Sequence, residues 1–176
     1  PQPNWKDTSD FMKLGRPRLA FLVNGGNMDP MVNHYTVSKR LREKDMYSPG
    51  GKMGLRPDRA TIVYCNKIRE AYKDIDIVIG GIEASLRRFA HYDYWSDSVR
   101  ESVLIESGAD LLIYGMGERV VQQVAKAMRN GYNAKLLRKI HQVAFLADKS
   151  YVERLDPATT KFLHSFEECE QSKRAF

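Results

Sequence analysis

Three short apolar runs that each end in glycine or asparagine-glycine constrain the fold of this chain more than any other feature. The runs span residues 18–23, 75–79 and 109–114. A strand, a glycine turn and a helix that recur in this order are typical of a parallel sheet covered by helices. The sequence therefore predicts an α/β fold with a parallel sheet flanked by helices.

The segments between these runs predict the helices. Asp29 and Pro30 favour a helix start, and we expect this helix to reach about residue 43. Asp58 is the expected cap of a second helix, in which Tyr64 and Ile68 share one apolar face. Two more helices are expected, one at 96–107 and one that begins at about 118 and ends at 130–131. We also expect a strand at 142–147, and either a polar helix or a disordered end at 165–176.

Composition narrows the class of protein. Hydrophobic residues make up 43% and charged residues 28% of the 176 residues, which excludes collagen-like, low-complexity and wholly disordered chains. A net charge of +6 suits a phosphate-bearing partner and equally an ordinary protein surface. The sequence has no membrane-span pattern, and Cys65 and Cys169 fit neither a disulfide scaffold nor a metal knuckle. We expect a cytoplasmic protein without a membrane partner.

The residues at the three strand tips are the candidate binding residues. Ligands of parallel sheets gather at the carboxyl ends of the strands. Glycine there lets the backbone approach a flat or phosphorylated ligand closely, although tight turns need glycine for their own geometry. The candidates are Gly25, Gly26, Asn27, Gly80, Gly81, Gly115 and Gly117, and the loop at 47–57 is long enough to touch a ligand as well.

Two carboxylates near these tips carry two interpretations each. Glu83 follows Gly80 and Gly81, and Glu118 opens a predicted helix. A carboxylate at a helix start is stabilised by capping and by the helix dipole. The alternative is a hydrogen bond from the carboxylate to a bound ligand, and the sequence leaves both interpretations open.

Familiar catalytic motifs are incomplete or missing. Gly115 and Gly117 resemble the start of a dinucleotide fingerprint, but Val120 replaces its third glycine. The chain has no Gly-x-Ser-x-Gly elbow, Walker loop, Cys-x-x-Cys or His-Glu-x-x-His. The sequence therefore favours neither a nicotinamide enzyme nor a hydrolase, an NTPase or a zinc protein.

Basic and aromatic residues alternate at 85–95, and this mixture has two interpretations. An interdomain surface uses such side chains for cation–π and polar contacts, which is the interpretation that we favour. The alternative is a basic RNA-associated binding module without catalysis. Its contacts would be Arg87, Arg88, His91, Tyr92 and Trp95.

Four segments closely resemble the N-terminal region of the YgiQ-type radical S-adenosylmethionine proteins. They read NMDPMVNHYT at 27–36, YSPGGKMGLRPDRAT at 47–61, GGIEASLRRFAHYDYW at 80–95 and YGMGER at 114–119. The resemblance implies a flavodoxin-like or Rossmann-like domain over residues 1–150, similar to the cobalamin-binding module that precedes the catalytic barrel of many radical enzymes. Residues 151–176 are then a linker or helical extension toward the radical SAM barrel of the same polypeptide.

The same resemblance implies the cofactors of the parent protein. It would hold a 4Fe–4S cluster through a Cys-x-x-x-Cys-x-x-Cys loop and would bind S-adenosylmethionine. That loop lies outside this chain, because Cys65 and Cys169 each stand alone. Gly80 and Gly81 match the glycine pair beside the corrin nucleotide tail in similar domains, and Gly115, Gly117 and Glu118 match a Gly-x-Gly-Glu turn. Whether cobalamin binds is left open, and we expect an accessory domain that offers a cofactor-facing or substrate-facing rim to the barrel.

One further expectation concerns the N-terminal side of the sheet. The chain begins Pro1-Gln2-Pro3, and in a flavodoxin-like order an upstream strand would lie beside residues 19–23. We therefore expect a sheet that is incomplete at its N-terminal side. An unpaired edge strand there would favour a dimer through this edge.

Overall fold

The computed structural model describes residues 2–176 and has six strands and eight α-helices among them. The strands are β1 Ala20–Asn24, β2 Asp76–Gly80, β3 His91–Asp93, β4 Ser98–Arg100, β5 Leu111–Ile113 and β6 Val143–Ala144. The helices are α1 Ser9–Met12, α2 Pro30–His34, α3 Ala60–Ala71, α4 Gly81–Leu86, α5 Val103–Glu106, α6 Glu118–Arg129, α7 Lys149–Val152 and α8 Phe166–Gln171. Single 3₁₀ turns lie at Pro49–Gly51 and Ala134–Leu136.

The main sheet has the strand order β1-β2-β5-β6. β1, β2 and β5 are parallel, whereas β6 runs antiparallel to β5. The prediction of an α/β fold with a mostly parallel sheet flanked by helices is confirmed. β1 lies at one edge of this sheet, and β3 and β4 form a separate hairpin.

β2, in the interior of the sheet, is buried on both faces. Ile77 and Ile79 of β2 pack in the layer that contains Tyr64 of α3, whereas Val78 packs in the layer that contains Val124 of α6. A strand that is covered on both sides needs apolar residues at consecutive positions. This double burial explains the unbroken apolar run that predicts β2.

The helix predicted over 30–43 is wrong beyond His34. Asp29 caps α2 through a hydrogen bond from the Met31 N–H at 3.0 Å. Tyr35 then adopts an extended backbone and pairs with Leu41, with a turn between them in which Lys39 has φ 58°. The tertiary contacts of His34 and Tyr35 outweigh the helical pattern of the following residues.

The helix predicted over 96–107 is wrong in its first half. Asp97, with φ 54°, lies in the turn that joins β3 to β4. The Asp93 carboxylate accepts hydrogen bonds from the N–H and hydroxyl of Ser96 at 3.1 and 2.6 Å, which favours a turn over a helix. Only α5 is helical in this range, and Ser102 caps it.

The predicted cap of α3 is also wrong. Asp58 is occupied elsewhere, because its two carboxylate oxygens lie 2.8 Å from the His34 Nδ1 and the Tyr35 hydroxyl. The Glu83 carboxylate accepts the hydrogen bond from the Thr61 N–H instead, at 3.1 Å. A residue of α4 therefore caps α3.

The C-terminal segment folds back on the domain. α8 begins with a capping box of Ser165 and Glu168, and the helix packs against β4 with Cys169 buried. Of the two expectations for this segment, the polar helix is confirmed, and the division of the chain at residue 150 stays a prediction. Across residues 2–176, no helix combines the length and the apolar character that crossing a membrane requires.

Candidate functional site at the carboxyl edge of the sheet

The tips of β1, β2 and β5 lie together at one edge of the sheet. Asn24 is the register partner of Gly80. Gly80 in turn lies against β5, since a Cβ added to it would meet the Ile113 carbonyl oxygen at 3.2 Å. The Ser85 hydroxyl of α4 accepts a hydrogen bond from the Gly115 N–H at 3.1 Å. The three predicted tips therefore form one continuous rim.

Close packing inside the protein explains why two of the rim positions are occupied by glycine. A side chain at Gly25 would collide with the Glu83 carboxylate. Gly81 has φ 82°, and a Cβ there would lie 3.0 Å from the Cβ of Asn24. The absence of side chains at these two positions lets the β1 and β2 tips approach each other.

Glu83 is the buried acid beneath the rim. Its side chain is 2% exposed, and one carboxylate oxygen accepts from the Thr61 N–H at 3.1 Å and the Thr61 hydroxyl at 2.8 Å. Burial raises the pKa of Glu83 to about 7, and the negative charge of Asp29 acts in the same direction. The hydrogen bonds from Thr61 oppose this rise only in part.

Two arginines fix the loop that follows β1. Arg87 donates two hydrogen bonds to the same oxygen of Asp29, at 3.0 and 2.7 Å. The Nη1 of Arg56 donates to the carbonyl oxygens of Gly25 and Met28, both at 3.0 Å. The loop is thus bonded to α4 on one side and to the 47–57 loop on the other.

Arg56 and Asp45 form a buried, bidentate ion pair. Arg56 Nε and Nη2 donate to the two Asp45 oxygens, each at 2.8 Å, and Asp45 is fully buried. Burial alone would raise the pKa of Asp45, but hydrogen bonds from Arg56, Ser48 and the Tyr47 N–H hold it well below its usual range. Charge-assisted hydrogen bonds therefore hold the loop at 47–57.

A histidine lies between Asp45 and Asp58. The Nε2 of His34 is 3.1 Å from Asp45, and its Nδ1 is 2.8 Å from Asp58. Asp58 also accepts from the Tyr35 hydroxyl, and this bond is the main reason that the pKa of Tyr35 rises to about 12. These contacts join α2 to the segment before α3.

Apolar side chains are exposed beside the rim, and we call them the α4 patch: Ile82, Leu86, Phe89 and Met116. Ile82 and Leu86 lie four positions apart on one face of α4, and Phe89 lies in the bend that follows the helix. The Ser85 hydrogen bond places α4 next to the loop that contains Met116. Arg88 borders the patch, with its guanidinium 4.7 Å from the Phe89 ring centroid and 5.0 Å from that of Tyr114.

The structure sorts the predicted site residues by exposure. Gly25 and Glu83 are buried, so they support the rim from beneath. Gly80 and Gly117 are half-buried. The exposed members of the predicted set are Gly26, Asn27, Gly81, Gly115 and Glu118. Sequence reasoning missed Asp45 and Arg56, because no local motif marks a loop arginine and a carboxylate whose contacts depend on tertiary packing.

The donors of this chain do not fit an iron–sulfur cluster. Cys65 lies inside the core, where burial raises the pKa of its thiol to about 12, and Cys169 lies on α8. Within residues 2–176, no three His, Cys, Asp or Glu side chains are grouped as metal ligands. A cluster needs several neighbouring thiolates, and the described residues do not bring such a set together.

The residues of the RNA alternative are engaged within the protein. Arg87 is bonded to Asp29, and the Tyr92 hydroxyl donates to Asp97. Burial lowers the pKa of His91, which disfavours a positive charge there. The Trp95 ring centroid lies 4.3 Å from that of Tyr35. These contacts favour a structural role for the alternating residues at 85–95, and RNA binding stays an untested alternative.

Fold and site together define an α/β domain with a preformed rim at the carboxyl ends of a mostly parallel sheet. The chain matches the family described as radical SAM N-terminal over residues 1–176, and it belongs to that family. The resemblance to YgiQ-type proteins is thereby confirmed.

Two relatives from clostridia show the extent of the sequence similarity. A UPF0313 protein of Clostridium perfringens (strain ATCC 13124) is 61% identical over 178 residues, covering 99% of this chain and 26% of the relative. The UPF0313 protein CLJ_B0249 of Clostridium botulinum (strain 657) is 55% identical over 177 residues, with 99% and 27% covered. The chain therefore spans about a quarter of the length of these relatives. No solved structure matches it.

Proposed function

We propose that this chain is the accessory N-terminal domain of an iron–sulfur radical S-adenosylmethionine enzyme. In this proposal the rim and the α4 patch pack against the catalytic barrel of the same polypeptide. Family membership supports the assignment. So does the length of the relatives, of which about three quarters lies outside the matched region.

The α4 patch is the observation that carries the barrel contact. Leu86 is 64%, Phe89 50% and Met116 78% exposed. Neighbouring exposed apolar side chains beside polar residues mark interaction surfaces. The patch adjoins a rim that buried ion pairs hold rigid, so the domain offers a preformed surface and little ordering is needed on contact.

Amide hydrogen exchange on the full-length polypeptide tests the barrel contact. We expect α4 to exchange more slowly there than in the isolated chain, and we expect the double substitution Leu86→Asp and Phe89→Asp to remove this protection. Val37→Asp is the matched control, since Val37 is 95% exposed and belongs to the 35–41 turn rather than to α4. Equal exchange of α4 in the isolated and full-length proteins would refute the contact.

In this proposal some cofactors bind in the rest of the polypeptide and one binds at the rim of this chain. The 4Fe–4S cluster and S-adenosylmethionine bind in the rest of the polypeptide, where the cluster supplies the electron for radical chemistry. Gly26, Gly81 and Gly115 are exposed and have no side chain that would keep a flat ligand away from the backbone, so we extend the proposal to cobalamin at this rim. When hydroxocobalamin is titrated with the chain, the absorption bands of the cobalamin should shift and the Tm of the chain should rise. An unchanged spectrum and Tm would refute cobalamin binding, and the barrel contact would then be the proposed role of the rim.

The proposed location is the reducing cytoplasm. Both cysteines, Cys65 and Cys169, are free thiols in the structure. Proteins of oxidising compartments commonly depend on disulfides for stability.

A further inference from the structure

A second concave region lies between the 35–41 turn and the segment that leads into α3. Its volume is about 630 Å³, which is within the range of small-molecule sites. Among residues 2–176, its lining includes no rim glycine and no member of the α4 patch. We propose that this cleft binds a small organic ammonium ion, which is held by the Asp58 carboxylate and by an aromatic wall.

Aromatic and thioether side chains form the wall of the cleft. Trp5, Tyr35 and Trp95 line it together with Met31 and Met53. The rings of Tyr35 and Trp95 lie with centroids 4.3 Å apart and an interplanar angle of 42°. The faces of tryptophan and tyrosine rings attract ammonium groups, and aromatic-lined sites are used to bind quaternary ammonium ligands. The wall therefore suits a cation that carries apolar substituents.

Asp58 is the carboxylate beside this wall. It lines the cleft, and its Oδ2 accepts a hydrogen bond from the Tyr35 hydroxyl at 2.8 Å, so the negative charge lies next to the aromatic pair. Its Oδ1 lies 2.8 Å from the His34 Nδ1. A carboxylate oxygen can accept two hydrogen bonds, and each Asp58 oxygen has one partner among residues 2–176. Asp58 can therefore accept further hydrogen bonds from a bound ammonium group.

The arginines of the lining are already neutralised. Arg56 pairs with Asp45 and Arg59 pairs with Asp93, with N–O distances of 2.8 and 2.7 Å. The two arginine side chains are 3% and 20% exposed, whereas that of Asp58 is 45% exposed. The charge that a ligand in the cleft can reach is therefore that of Asp58. This charge favours a cation over an anion.

The buried His34 leaves this preference in place. It lies between Asp58 and Asp45, and Asp45 already has the counter-charge of Arg56. A neutral imidazole donates through one nitrogen and an imidazolium through both. The four side chains together therefore carry no net charge when His34 is protonated and a negative charge when it is neutral. In neither state do they repel a cation.

The other cations near the cleft are exposed. Lys39, Arg40 and Arg42 lie in and just after the 35–41 turn, outside the lining, where water and salt screen their charges. The Nζ of Lys39 donates to the Trp95 carbonyl oxygen at 2.9 Å and lies 5.9 Å from the indole centroid. An ammonium group of the protein itself thus already lies against this ring, which is the kind of contact that the proposal assigns to the ligand.

Tryptophan fluorescence reports on this cleft directly, since the only two tryptophans of the chain, Trp5 and Trp95, both line it. The experiment uses the chain of residues 1–176 and two pairs of probes that differ in charge but little in shape. Choline is compared with 3,3-dimethylbutan-1-ol, and 2-phenylethylammonium with 2-phenylethanol. Free N-acetyltryptophanamide corrects for collisional quenching. We expect a saturable change and, in at least one pair, about tenfold tighter binding of the cation. The pair that responds distinguishes a quaternary from a primary ammonium group.

Substitution of the carboxylate tests its role. Asp58→Asn removes the charge with little change of shape and should reduce the cation preference to about onefold, while binding of the neutral probe persists. Asp97→Asn is the matched control and should keep the preference of the wild type. Asp97 is an exposed carboxylate that also accepts a hydrogen bond from a tyrosine hydroxyl, that of Tyr92, but it does not line the cleft.

A second variant tests the aromatic wall. Trp95→Leu removes one ring and leaves Trp5 as the reporter, and it should weaken binding of the cation more than binding of the neutral probe. Circular dichroism establishes which variants fold. Should Asp58→Asn unfold, the cation preference of the wild-type chain and its reduction in Trp95→Leu decide the question.

Three results would overturn the proposal. The first is fluorescence that no probe changes in a saturable way up to millimolar concentration. The second is equal affinity for the charged and neutral members of both pairs. The third is a folded Asp58→Asn that keeps the cation preference. None of these results bears on the rim or the α4 patch, so the accessory-domain proposal is tested separately.

Discussion

At the residue scale, Glu83 shows how one side chain connects three parts of the fold. Its position after Gly80 and Gly81 suggests either a cap or a ligand contact, and the structure shows a cap. The helix that it caps is α3, through Thr61, which lies 22 positions away in sequence. The same carboxylate occupies the space that a side chain at Gly25 would need. Such a contact depends on tertiary packing and has no signature in the local sequence.

The stability of the chain should depend on the protonation of Glu83. Its pKa in the folded protein is about 7 against an ordinary value of 4.5, because burial disfavours the charge. The folded state thus holds the proton more tightly than the unfolded chain does. The stabilisation that this proton supplies is complete below about pH 4.5 and is lost as the pH rises through 7, at a cost of about 3 kcal/mol.

Glu83→Gln tests this dependence, since glutamine stays neutral at every pH. Urea unfolding from pH 4.5 to 8 should show a decline in the free energy of unfolding for the wild type that the variant lacks. Glu118→Gln, which changes an exposed carboxylate, should behave like the wild type. Parallel curves for the wild type and Glu83→Gln would contradict the assignment.

At the element scale, the long elements could be predicted and the short ones could not. The apolar faces of α3 and α6 run through three turns each, and the packing of these faces on the sheet determines the helices. α2 and α5 are five and four residues long, and polar side chains such as Asp58, at the end of α2, and Ser102, at the start of α5, determine where they begin and end. Those side chains contact residues that are distant in sequence, which a helical pattern does not reveal.

β1 is the element whose environment invites a partner. It has a hydrogen-bonded neighbour on one side only, and Leu22 in its centre is 58% exposed. A groove of about 460 Å³ that includes Phe21 and Val23 runs beside it. We expect the isolated chain to dimerise through this edge by adding a strand.

Light scattering over a range of concentrations measures this association. Leu22→Lys should raise the dimer dissociation constant about tenfold or more, because a charged residue on an edge strand opposes pairing. Leu14→Lys is the control, as Leu14 is 98% exposed and lies outside the strands. A chain that stays monomeric at the highest concentration would refute pairing through β1.

At the scale of the whole molecule, the sequence predicts where the rim lies but not which contacts hold it in position. Three glycine-ended runs suffice to bring Asn24, Gly80 and Gly115 to one edge, because parallel strands end on the same side. The ion pairs that fix this edge, of Arg56 with Asp45 and of Arg87 with Asp29, join distant segments.

The last prediction concerns which part of the polypeptide binds the 4Fe–4S cluster. Because Cys65 is sealed in the core and Cys169 lies apart from it on α8, the isolated chain should retain no 4Fe–4S cluster after anaerobic reconstitution. It should form no 5′-deoxyadenosine from S-adenosylmethionine and dithionite, whereas the full-length polypeptide should show the cluster absorption band and form the product. Retention of iron by the isolated chain, and its loss in Cys65→Ser, would instead place a cluster ligand here and contradict the accessory role.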